Sequence, residues 1–198
     1  MSKYFDPADI ERMDAYRKEI YSIRAKFLVD FGVDPLDTDT LSSIAIYQIV
    51  SQYDTEFNVN FARNGEDGKS GDVLIEGKSS KVDPSPLTKT TGKKRASYGK
   101  DASFMFHSPA ELDNPRYLFV ARSQVDLSIL RIYDISSEAN RKVVIDHLMS
   151  ERNRWEEKNK QLGHTQKHDG IFIKEKLILE KCNFPTQTII NGCKVFKD

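Results

Sequence analysis

Cysteine is nearly missing from this chain: Cys182 and Cys193 are the only two in 198 residues. They can pair with each other, but two are too few for a disulfide framework, and they lack the spacing of zinc ligands. No apolar run approaches the roughly 18 residues that a membrane span needs, so no membrane partner is expected. The first residues, Met1-Ser2-Lys3-Tyr4-Phe5-Asp6, lack the pattern of a secretory signal, and a cytoplasmic location is expected. Histidine is sparse, and His107, His147, His164 and His168 show no metal-binding spacing. Net charge is absent as well, with 30 basic and 30 acidic residues. No internal repeat and no linker divide the sequence. What is plentiful is aromatic: 11 Phe and 8 Tyr beside one Trp supply a core, which excludes wholesale disorder. These bounds describe a soluble single domain over residues 1–198, with a helical part over 8–52 and a core over 57–180.

The zero net charge hides a division. Residues 1–76 hold 15 acids and 8 bases, whereas residues 77–100 hold 7 bases and the single acid Asp83. A short basic stretch of this kind is a solvated loop or a phosphate-contacting patch.

Apolar residues at Ile10, Met13, Tyr16, Ile20, Ile23, Phe27 and Phe31 recur at helical spacing and predict an amphipathic helix over 8–31, ended by Gly32 and Pro35. Thr38 or Asp39 is positioned to cap a second helix near 40–52. Phe57 to Phe61 alternates and reads as a strand, Gly65 to Gly71 as a turn, and Val73-Leu74-Ile75 as the start of a strand running into Glu76-Gly77-Lys78. Residues 83–100 read as a loop. Strands are expected at 117–121, 129–133, 171–173 and 177–179. A helix near 138–160 is capped by Ser136 or Ser137, with Val143, Val144, His147, Leu148 and Trp155 on its apolar stripe. The order predicts an α/β (α+β) fold, a mixed β-sheet core flanked by helices.

The pattern with chemical content is Asp67 followed by Glu76-Gly77-Lys78. Acid-x-Lys alone carries little: composition predicts about three chance matches, and three occur, at 67–69, 76–78 and 156–158. The middle one is set apart because it ends an apolar strand. Alternation on a strand puts Glu76 and Lys78 on one face, and the preceding turn brings Asp67 toward them. Two carboxylates and an ammonium in one small volume suit metal-assisted phosphodiester hydrolysis, since Mg²⁺ prefers oxygen ligands and retains several waters. An ordinary cross-strand ion pair on an exposed hairpin is the competing explanation.

Asp … Glu-x-Lys on a hairpin resembles the PD-(D/E)xK nuclease superfamily, and more closely its PvuII-like type II restriction endonucleases. Arg63-Asn64-Gly65-Glu66-Asp67 is similar to that group's Arg-x-Gly-x-Asp, Glu76-Gly77-Lys78-Ser79 to its Glu-Leu-Lys-Ser, and Leu87-Thr88-Lys89 to its Leu-Thr-Lys. Trp155 on a helix and the Gly163-His164 turn follow in the same order, so the likeness covers residues 40–180. It implies a restriction-endonuclease-like fold and a homodimer that cuts double-stranded DNA at a short palindrome with Mg²⁺. It also implies Asp67 and Glu76 as metal ligands together with the Gly77 carbonyl, and Lys78 as the catalytic lysine. The interval from Asp67 to Glu76 is one residue shorter than in the pattern, which makes Asp72 a rival for the first acid. On one extended strand Asp72 and Glu76 would lie about 13 Å apart, too far to share an ion.

Where that group places base-reading histidines, this chain has Lys93-Lys94-Arg95, and Arg and Lys both read guanine in the major groove. Lys89, Thr90 and Thr91 are expected on phosphates. The second base-reading loop falls at Gln166-Lys167-His168-Asp169. The resemblance also favours the first helix as a dimer interface. A repair or recombination nuclease and a non-catalytic DNA-binding protein are the alternative readings.

Overall fold

The computed structural model describes residues 7–32, 34, 38–60, 67–82, 101–123, 128–163 and 170–198. Two compact units divide the chain, residues 1–44 and residues 45–198. The first contains helix α1 (Pro7–Phe31) and the opening turns of α2 (Thr38–Val50). Gly32 ends α1 in the left-handed conformation, φ +69°, and its amide donates to the Leu28 carbonyl at 3.0 Å. Arg24 reaches Asp34 through two bonds of 3.0 and 2.6 Å. The apolar stripe expected on this helix is exposed at Ile10, Met13, Tyr16, Ile20, Ile23 and Phe31. Because α2 begins at Thr38, Thr38 and Asp39 lie in its first turn rather than before it.

In the second unit the strands are β1 (Phe57–Val59), β2 (Gly68–Ser70), β3 (Val73–Val82), β4 (Ser103–Phe106), β5 (Arg116–Ser123), β6 (Ile129–Ile135), β7 (Ile171–Lys174), β8 (Thr186–Ile190) and β9 (Cys193–Lys197). Helices α3 (Glu138–Leu162) and α4 (Glu175–Lys181) and a 3-10 turn, Pro109–Asp113, complete it. Seven strands form one sheet in the order β1-β2-β3-β5-β6-β9-β8, while β4 and β7 form a separate pair. β3 with β5 and β6 with β9 are parallel and the other pairs antiparallel, so the sheet is mixed and the fold is α+β.

β5 is buried along its whole length, and its alternate side chains build two cores. Tyr117, Phe119 and Ala121 face the β4–β7 pair and α3, joining Phe104, Phe106, Val144, Leu148 and Ile173. Leu118 and Val120 face the other way and pack with Ile49, Val50, Phe57, Ile75 and Val195. Arg116, at the head of β5, is buried too. It donates two hydrogen bonds to the Asp134 carboxylate, at 2.8 and 2.7 Å, and reaches Asp54 at 2.5 Å, and Asp54 in turn accepts from Ser70 of β2. Ser137 caps α3, and the Asp198 carboxylate accepts from the Ser136 and Ser137 amides at 2.8 and 3.1 Å.

The structure corrects the sequence expectations in four further places. Residues 177–179 are helical: Glu175, Ile178 and Cys182 are buried at i, i+3 and i+7, and a three-residue apolar run does not show that period. Residues 68–70 are strand rather than turn, and the hairpin closes on Gly71 and Asp72, with Gly71 at φ +55°. The β8–β9 hairpin lies beyond the expected core. Its turn is Asn191-Gly192, with φ of 50° and 81°, which matches the right-handed twist of paired strands. Cys182 and Cys193 are buried free thiols, not a pair.

Candidate active site

β3 places the first members of the site. Ile75 enters the core with Leu118, and Val82 enters the opposite core with Phe119, so Glu76 and Lys78 share the face toward β4 and the 3-10 turn. Glu76 is buried, at 5% exposure. Its ladder partner is Tyr117 of β5. One carboxylate oxygen pairs with Lys78 Nζ at 2.5 Å, and the other accepts from Asn114 Nδ2 at 3.1 Å. Lys78 Nζ also pairs with Glu111 and lies 5.1 Å from the centre of the Phe106 ring.

Asp67 is positioned by an irregularity in the hairpin. Gly68 is the ladder partner of Ile75, yet the Asp67 amide also donates to the Ile75 carbonyl at 3.1 Å. Two consecutive residues thus answer to one, an arrangement that re-aims a side chain. The Asp67 carboxylate accepts the Gly77 amide at 2.8 Å. A Cβ on residue 77 would sit 3.3 Å from the Asp67 Cβ and 3.4 Å from its Oδ2, so glycine at this position leaves room for the acid. Gly68 is required for a similar reason, since a Cβ there would meet the Asn58 carbonyl at 2.7 Å.

Glu111 and Asn114 were not singled out from the sequence. The signal for Glu111 was present: Ser108-Pro109-Ala110-Glu111 is a capping box with proline at the first position of the turn. The Glu111 carboxylate accepts from the His107 and Ser108 amides at 3.1 and 3.0 Å, which fixes it beneath Lys78.

The electrostatics follow from one ammonium among several acids. Burial pushes the Glu76 carboxyl above its ordinary value against the pull of Lys78, and the charges of Asp67 and Glu111 add to the rise. Burial works to lower the Lys78 ammonium, but its bonds to Glu111 and Glu76 outweigh that and hold it above the ordinary lysine value. Among the described residues, no three His, Cys, Asp or Glu side chains gather around a metal position. Asp67, Glu76 and the Gly77 carbonyl are the oxygen donors beside Lys78 that would have to hold a Mg²⁺ ion, one that keeps several waters. Around the single Lys78 ammonium, Asp67, Glu76 and Glu111 leave an excess of negative charge.

Asp72 lies exposed in the hairpin turn, whereas Asp67 touches the backbone between Glu76 and Lys78. His147 is half-buried on α3. Lys89, Thr90, Thr91, Lys93, Lys94 and Arg95 lie outside the described residues, as do Gln166, Lys167, His168 and Asp169. Arg63 to Glu66 are outside them too. No helix among the described residues is long and apolar enough to cross a membrane. No protein-family model matches the chain, and no curated protein matches it.

Proposed function

We propose that this chain is a Mg²⁺-dependent endonuclease of the restriction type, cutting double-stranded DNA at a specific sequence as a homodimer. The observation that carries this reading is the buried Glu76–Lys78 pair on one strand, with the Asp67 carboxylate held on the intervening Gly77 amide. An exposed hairpin with a chance ion pair would not bury the glutamate or enclose the lysine between two acids.

In this reading Asp67, Glu76 and the Gly77 carbonyl hold the metal. Mg²⁺, when bound, lowers the pKa of a coordinated water and neutralises charge on the phosphate. Lys78 presents an ammonium with three N–H donors, positioned to orient the attacking water and contact the scissile phosphate. Glu111 limits where that ammonium can go, because its own carboxylate is pinned by two backbone amides. Asn114 fixes the second oxygen of Glu76, so the carboxylate cannot rotate away. The basic stretch over 77–100 supports contact with the DNA backbone, and the exposed apolar stripe of α1 supports association with a second copy.

The test is incubation of a large sequenced DNA with the protein, with and without Mg²⁺, beside Lys78→Ala and Glu76→Gln. Discrete fragments that need Mg²⁺, Lys78 and Glu76 are expected. A smear with the same requirements retains a nuclease and removes the sequence specificity. Intact DNA under all conditions, Mn²⁺ included, overturns the catalytic reading. Analytical ultracentrifugation checks the homodimer.

A further inference from the structure

A cavity of about 330 Å³ opens beside the candidate active site, at the low end of the size range of small-ligand pockets. One wall is His107-Ser108-Pro109, the segment by which β4 leaves for the 3-10 turn. The opposite side is formed by Arg152, Trp155 and Glu156 of α3, spaced i, i+3 and i+4 on one helix face. Gly170 and Ile171, where the chain enters β7, complete the lining. A side chain at residue 170 would run into Met105, its Cβ falling 2.6 Å from the Met105 Cγ.

The cavity is joined to the catalytic lysine through few atoms. The His107 and Ser108 amides in its wall donate to the Glu111 carboxylate, which pairs with Lys78. Phe106, directly before that wall, carries its ring under the Lys78 ammonium. An occupant would thus sit beside the position where a phosphate meets Lys78.

The lining chemistry selects the occupant. The half-buried Trp155 indole brings an aromatic ring to the lining, and Pro109 and Ile171 supply apolar surface. Arg152 and Glu156, paired at 2.7 Å, set a planar donor fork beside an acceptor. A flat heteroaromatic ring with donors and acceptors on its edge matches both features. We propose that this cavity is a nucleobase pocket, receiving a base turned out of the DNA stack next to the scissile phosphate. The proposal rests on the nuclease reading for the identity of the polymer.

The chain has a single tryptophan, so intrinsic emission reports directly on the cavity. The full chain, in EDTA and at low salt where backbone charge gives sequence-independent binding, is titrated with two duplexes. One carries a single unpaired adenine and the other an abasic residue at the same place. The expected result is quenching of Trp155 emission by the unpaired adenine alone, with that duplex bound about 10-fold more tightly by anisotropy. Trp155→Ala should abolish the preference. Glu156→Gln, at a half-exposed helix position that folding tolerates, should reduce the ratio of the two affinities, since the lost charge raises binding to both duplexes alike. Equal affinity and equal emission with both duplexes would overturn the pocket while the cleavage assay still stands for the nuclease. Failure to bind either duplex would overturn the pocket together with the nuclease reading.

Discussion

Replacing Lys78 by Met tests whether the lysine is the counter-charge of the site. Met keeps the length of the side chain and a favourable contact with the Phe106 ring, but removes the ammonium. Glu76 and Glu111 would then face each other unpaired, with side-chain exposures of only 7% and 20%. Removing one partner of a fully buried pair costs about 3–5 kcal/mol. The partial exposure here reduces that to about 2–3 kcal/mol. For a chain of this length that is a fall in Tm of roughly 5–10 °C. Adding Glu111→Gln should recover part of the loss, because it removes one unpaired charge while leaving an acceptor for the His107 and Ser108 amides. The double variant is therefore expected to be more stable than the sum of the single effects by at least about 1 kcal/mol. Urea unfolding of the wild type, both singles and the double at neutral pH in EDTA measures this directly. Additive effects, or a Lys78→Met protein as stable as wild type, would refute the counter-charge argument.

Gly68→Ala should destabilise by about 1–3 kcal/mol, because the new methyl meets the Asn58 carbonyl and strands β1 and β2 must separate. The same displacement moves Asp67, so the proposed DNA cleavage is expected to fall further than the melting temperature alone would explain. Burial raises Glu175, but Arg131, the Tyr133 hydroxyl at 2.5 Å and the Ala102 amide at 2.8 Å more than offset it and hold the carboxyl below its ordinary value. Its stabilising contribution is therefore complete above the unfolded carboxylate pKa of about 4.3 and is lost as pH falls through the lower folded value. Glu175→Gln should be less stable at pH 7 and flatter below pH 4, as followed by circular dichroism across pH. Burial pushes both the Cys182 and Cys193 thiols up to about 12. Neither should react with a thiol reagent at pH 8 in the native protein, and both should react once urea is added.

The sequence alone determined what periodicity and caps encode. α1 and α3 follow from apolar spacing and from Gly32 and Ser137, and β5 and β6 from runs of Phe, Val, Ile and Tyr. It also put Glu76 and Lys78 on one face, because alternation along a strand is a local rule. The Asn191-Gly192 turn and the Ser108–Glu111 capping box were just as local, and both could have been read. α4 was not legible as helix, since its period is visible only once the core shows which of its residues are buried. Other features were settled only by the tertiary fold. Glu111 and Asn114 stand 35 and 38 residues from Glu76 and meet the site because β3 and β5 lie side by side and parallel, with the 3-10 turn in the connection between them. Such a pairing depends on strand order, which no local pattern specifies. The cavity beside Trp155 likewise needs α3 to pack against the β4–β7 pair, bringing together residues that the sequence keeps 43 apart or more on one side and about 15 on the other.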